Sequence, residues 1–189
     1  DELPEGMEFL EPDQMQGGKA FFDFTPRILY LNSKTHEDGP EMDFYDGKLN
    51  HIYVDLFIQD RLPDNKLAAG WTKFVQTVIY GLAMGHRYHL DYCVGALALI
   101  GKCIPMNLIR KMQHAVAVKD RNRDTDQYYY SNYAPDYFYV TVRRHWVDQV
   151  VDLPFENMKL MAPAGWHQIL AWLYGDYMTP PPEDKQVPT

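Results

Sequence analysis

The chain has 189 residues, 46% of them apolar and 14% aromatic, and carries a net charge of −8. That length suits one well-buried domain and is short for two. The acidic balance argues against sequence-independent binding to nucleic acid, which needs a basic surface to displace counterions, but leaves room for a local basic pocket that takes a phosphorylated small molecule. Two cysteines, Cys93 and Cys103, form no CxxC pair and no disulfide framework, so a reducing, cytoplasmic setting is expected, at most peripheral to a membrane. No apolar run is long enough to span a bilayer. The opening Asp1-Glu2-Leu3-Pro4-Glu5-Gly6 is acidic and turn-like, unlike a signal peptide.

Residues 1–20 are rich in Pro and Gly and read as loop. A strand is expected over 20–32, interrupted at Pro26. Two turn signals follow, Asp38-Gly39-Pro40 and Asp46-Gly47, and then HIYVDLFIQD over 51–60, whose Ile52, Tyr53, Val54, Leu56, Phe57 and Ile58 are β-formers. A hairpin between these two stretches is expected. From Leu67 the period changes: Leu67, Trp71, Phe74, Val75, Val78, Ile79, Leu82 and Ala83 mark an amphipathic helix. A second helix is expected over 89–103. Pro105 suits the first turn of a third, through Met106, Ile109, Met112 and Val116, with Arg110, Lys111 and His114 solvated. The charged run 119–126 closes the helical block. The tyrosine-dense 127–142 suits short strands or an extended loop, and 165–178 returns to helical spacing before stopping at Gly175. The expectation is one α+β (α/β mixed) domain over 1–189.

Asp55 lies in the middle of an apolar strand. A carboxylate there loses hydration and must be protonated, hydrogen-bonded or paired with a cation. In a strand Tyr53, Asp55 and Phe57 share a face, which suits the wall of a pocket. The plainer alternative is a structural acid paired with an arginine such as Arg27. His86 and His89, three apart in His86-Arg87-Tyr88-His89-Leu90-Asp91-Tyr92-Cys93, could chelate a metal or mark a helix junction. Asp124 and Asp126 have a D-x-D spacing that holds Mg2+ in some sites, or belong to a solvated loop. Tyr128, Tyr129, Tyr130, Tyr133, Tyr137 and Tyr139 could box a quaternary ammonium group by cation–π attraction, or simply pack.

Two stretches carry a resemblance. Residues 154–184 contain Phe155-Glu156, Ala162-Pro163-Ala164-Gly165-Trp166, Tyr174-Gly175-Asp176-Tyr177-Met178 and Pro180-Pro181-Pro182-Glu183. This run resembles the C-terminal signature of the LicD family, and HIYVDLFIQD resembles that family's hydrophobic-Val-Asp-hydrophobic-Phe segment. The opening LPEGMEFLEP is similar to the linker after the family's active-site strand. The resemblance spans nearly the whole chain, with 67–118 the variable part.

The resemblance implies a nucleotidyltransferase-like mixed sheet with a helical block. It implies a metal-dependent phosphotransferase that moves phosphocholine, or a related phosphorylated group, from a CDP-choline-like donor to a cell-surface glycan such as lipopolysaccharide or teichoic acid. Asp55 then falls at the third metal-binding carboxylate, with Mg2+ or Mn2+ neutralising the donor's diphosphate. The family's glycine-rich turn and aspartate run, which supply the other ligands, have no counterpart here. The chain therefore reads as the C-terminal part of a longer family domain, completed by a further segment or partner chain, or as a non-catalytic binding or scaffold relative. Arg27, Arg143, Arg144 and His145 are candidates for phosphate contacts. Glu156, Tyr174 and Asp176 belong to the matched signature, and Tyr129, Tyr133 and Tyr137 become candidates for a choline box.

Overall fold

A computed structural model describes residues 3–35, 38–89, 95–138, 140–180, 182 and 186. Among them the fold is mixed α and β, with helices and three small antiparallel sheets. The first sheet contains β1 (Met7–Leu10), β2 (Arg27–Tyr30) and β3 (Ile52–Asp55) in that order. The second contains β4 (Gln59–Leu62), β5 (Gln127–Tyr130) and β6 (Thr141–Arg143). The third is the hairpin of β7 (Val150–Phe155) and β8 (Met158–Pro163).

The expected hairpin forms, and its register places Arg27 opposite Asp55. The expected strands are shorter than their apolar runs. Pro26 donates no amide hydrogen, so β2 begins only at Arg27. The HIYVDLFIQD run breaks at 56–58 because its backbone changes partners. Leu56 N–H donates to Pro26 O (3.0 Å), within reach of the first sheet. Ile58 N–H donates to Asn132 Oδ1 (2.8 Å), and Asn132 Nδ2 returns a bond to Leu56 O (2.9 Å). The chain thus leaves one sheet and enters the other within three residues. In place of one mixed sheet, every strand pairing described is antiparallel.

The helical block runs between β4 and β5, two neighbouring strands of the second sheet. A single turn, α1 (Pro40–Phe44), precedes β3, and α2 (Lys66–Ala83) follows β4. Asn65 caps α2, its Oδ1 accepting from Leu67 N (3.0 Å) and Ala68 N (3.1 Å). The buried face of α2 is rotated from the apolar stripe of the sequence. It contains Ala69, Thr72, Gln76, Ile79, Tyr80 and Ala83, whereas Leu67, Trp71 and Phe74 are exposed. Polar residues are tolerated inside because they are bonded: Thr72 Oγ1 donates to Ala68 O (3.0 Å), and Gln76 Nε2 donates to Gln113 O and Tyr129 Oη (3.3 Å each).

The second expected helix is shorter, α3 (Ala96–Gly101), and residues 90–94 of that expectation lie outside the described set. Gly101 lets α3 approach α2 closely, since a Cβ there would stand 1.8 Å from Leu82 O. The third, α4 (Met106–Val118), has Pro105 at its N-cap. Phe21, Phe24, Ile79, Tyr80, Met84, Ala98, Met106 and Ile109 form the main core under this block. The short α5 (Arg144–Val147) and α6 (Trp166–Tyr174) follow β6 and β8, and α6 ends at Gly175, whose φ of 67° is left-handed. Among the described residues, no helix is long and apolar enough to cross a membrane.

Candidate functional site

Arg27 is the centre of the site. It is 2% exposed and lies at the start of β2. Its Nη1 and Nη2 donate to both oxygens of Asp23 (3.1 and 2.5 Å), and Nη1 also donates to Thr25 O (3.1 Å). Across the sheet, Nε stands 2.9 Å from Asp55 Oδ1, an ion pair in which the N–H is not aimed along a hydrogen bond. The guanidinium also lies over the rings of Phe22 (5.1 Å) and Tyr53 (4.9 Å). Burial works against the charge of Arg27, but the bonds to Asp23 and the charges of Asp23 and Asp55 outweigh it, and its pKa is raised. For Asp55 the balance runs the other way: burial raises its pKa, with Arg27 opposing and Asp23 adding to the rise.

The cation that the apolar strand demands for Asp55 is therefore an arginine of the neighbouring strand. The alternation expected for β3 holds for Tyr53 and Asp55, which both meet Arg27, but not for Phe57, because the strand ends at Asp55. Asn132 went unrecognised in the sequence. It is 3% exposed, and besides bonding Leu56 and Ile58 it accepts at its carbonyl from Thr25 Oγ1 (3.1 Å). It thereby fixes the segment after Asp55 against the segment before Arg27. Its only sequence signal is a turn-forming Ser-Asn pair between tyrosines.

Beyond Asp55 the chain enters a cavity of about 420 Å³ lined by Phe57, Tyr130, Tyr133, Tyr137, Leu173 and Tyr174, with Val140 behind. Phe57 meets the Tyr133 ring at 4.4 Å, and Tyr133 meets Tyr137 at 4.3 Å. Burial pushes the Tyr133 hydroxyl up, as do Tyr137 and then the negative charges of Asp55 and Asp23. The cavity wall thus feels both carboxylates. Tyr133, Tyr137 and Tyr174 come together here although Tyr174 lies 41 residues beyond Tyr133 in sequence.

Tyr129 does not join them, which corrects the choline-box set. It is 1% exposed and packs with Leu62, Ala69 and Phe138. Burial pushes its hydroxyl up to about 12, against the opposing bond from Gln76. On β5 its side chain points opposite to Tyr130, as alternation requires. Tyr139 lies outside the described residues.

The remaining candidates are dispersed. Arg143 Nη1 is 3.3 Å from Asp126, and Arg144 binds Asp124 (2.5 Å) and Asp148 (2.9 Å), so the D-x-D carboxylates already hold arginines. His145 stands 3.8 Å from Asp126. Glu156 is exposed at the tip of the β7–β8 hairpin with a φ of 50°, and Asp176 accepts from Thr179 Oγ1 (2.6 Å) past α6. His86 Nε2 faces Gly101 O (3.0 Å) and Ile104 O (2.9 Å), a structural arrangement, and His89 meets the Tyr88 ring edge-on. Asp91 and Cys93 lie outside the described residues. Arg110, expected in solvent, is half-buried: Nη1 donates to Gly18 O (2.5 Å), and Nη2 to Pro12 O (3.0 Å) and Ala20 O (2.9 Å).

The implied Mg2+ or Mn2+ can be tested against these donors. Asp23 has both oxygens on Arg27, and one oxygen of Asp55 faces the same guanidinium. Among the described residues no three His, Cys, Asp or Glu side chains converge as a metal site. Mg2+ demands near-octahedral oxygen ligation. This donor set does not fit a two-metal centre, and no catalytic step is assigned to a metal here. Compared with protein-family models, curated proteins and solved structures, the chain has no match.

Proposed function

We propose that the chain is a phosphotransferase of the LicD type, or the part of one that holds the donor's headgroup, moving phosphocholine from a CDP-choline-like donor to a glycan hydroxyl. The nucleotidyltransferase-like fold, the cytoplasmic setting and the glycan acceptor belong to the same proposal. Its sequence support is the resemblance of residues 154–184 and 51–60 to the family's segments. The observation that carries it is the aromatic cavity of Phe57, Tyr130, Tyr133, Tyr137 and Tyr174, whose Tyr133 feels the negative charges of Asp55 and Asp23. A quaternary ammonium group has no hydrogen to donate, so it is held by ring faces and by a negative field. Transfer breaks the bond between the phosphocholine phosphorus and the bridging oxygen that leaves with CMP, and forms one to the acceptor oxygen, whose hydroxyl proton is released to solvent. The role of the tyrosines is to hold and orient the headgroup while that exchange occurs.

The test is CMP release from CDP-choline by the full chain in the presence of Mg2+, compared with Tyr137→Leu and Asp55→Ala. Release that falls in both variants supports the proposal, and undiminished release in Asp55→Ala removes Asp55 from the reaction. A second reading, a binding or scaffold domain without catalysis, is favoured by one feature: Arg27 occupies the position of Asp55's cation. It predicts CDP-choline binding that Tyr137→Leu weakens, with no CMP released by any variant.

A further inference from the structure

A cavity of about 730 Å³ shares no lining residue with the aromatic cavity or the Arg27 cluster. It lies between the 13–19 loop and the start of α4, and its walls include Lys19, Lys111, Arg110 and Asn107. Three of these side chains are cationic, in a chain whose net charge is −8. Among the described residues, none of the three has a carboxylate within salt-bridge distance. Arg110 is fixed by carbonyls alone, those of Gly18, Pro12 and Ala20, which anchor the guanidinium without neutralising it. Its Nε is buried and has no acceptor. Burial lowers the pKa of Arg110, and Asp13, the one acid on the cavity wall, only partly offsets that cost. A bound anion would relieve it.

The surrounding backbone adds to the positive field. Met106 and Asn107 line the cavity from the first turn of α4, where Pro105 supplies no side-chain cap. Gly17 faces open space. A volume of this size exceeds one phosphate and falls in the range of small-molecule sites.

We propose that this cavity binds the phosphate group of a small phosphorylated molecule, with Lys19 and Lys111 contacting the oxygens and Arg110 as a fixed positive charge at its base. Free phosphate and a phosphate ester share this chemistry, and the cavity volume favours the ester. The assignment stands on residues outside the candidate site, so it holds or fails independently of the phosphotransferase reading.

The experiment titrates inorganic phosphate and, separately, AMP into the full chain at constant ionic strength, by calorimetry or amide chemical shifts. The expected result is saturable binding that the Lys19→Gln, Lys111→Gln double variant weakens about tenfold, while Lys73→Gln leaves it unchanged. Tighter binding of AMP identifies an ester as the ligand, and equal binding identifies phosphate alone as the recognised group. No saturable binding of either probe overturns the proposal, as does equal weakening by Lys73→Gln. Both lysines of the double variant are exposed, and its unchanged circular dichroism separates lost binding from lost folding.

Discussion

Arg27 and Arg110 make opposite use of a withdrawn guanidinium. Arg27 is enclosed by Asp23, Asp55, Thr25 O and two aromatic rings, and every charge it brings is answered. Arg110 is held by three carbonyls beside an open cavity with two lysines, and its charge is left largely unanswered. The first arrangement locks strands together. The second concentrates positive charge on a small surface of an acidic protein. A buried ion pair is weak evidence for stability, because desolvation can exceed the Coulombic gain, yet removing one partner is costly. Burial alone therefore does not distinguish a structural arginine from a binding one, and the identity of the acceptors does.

The comparison breaks first at Arg27. Arg27→Met leaves Asp23 and Asp55 without their cation, and a loss of about 3 kcal/mol is expected, the lower end of the range for buried pairs because the Asp55 side chain is 30% exposed. Urea denaturation measures it, and a loss no larger than that of Arg110→Met contradicts the distinction. Arg110→Met removes bonds only from carbonyls beside an open cavity, where water can replace them, so about 1 kcal/mol is expected in the same assay.

The smallest effect is the pH dependence of Asp55. Its pKa is raised in the folded state, so folding holds that proton more tightly than the unfolded chain does. Its contribution is full below the ordinary carboxylate range and is lost as pH rises through the raised value. Across that window the stability of the native chain should fall relative to Asp55→Asn as pH increases. A relative rise would mean that Arg27 outweighs desolvation at Asp55.

Much of this was legible in the residues. Asp55 in an apolar strand demanded a cation, and Arg27 was the natural partner once a hairpin joined 20–32 to 51–59. The stop at Gly175 after α6 was legible, and Pro105 marked the start of α4, although it stands at the N-cap and not inside the first turn. Periodicity misjudged α2, because Thr72 is buried with its hydroxyl bonded one turn back to Ala68 O, and Gln76 through bonds to Gln113 and Tyr129 that no single-segment pattern encodes. The break at 56–58 was hidden for the same reason, since it depends on Asn132, 74 residues from Ile58. Tyr129 and Tyr130 are neighbours of one type, and only strand alternation sends one to the core and the other to the cavity.

The most direct measurement is calorimetric titration of the full chain with choline and with its uncharged tert-butyl isostere, repeated for Tyr133→Leu and Tyr137→Leu. The account predicts that the native chain prefers choline by about tenfold, as a partly desolvated cation–π site should, and that either leucine abolishes the preference. Equal binding of the two compounds, or a preference that survives both substitutions, would contradict it.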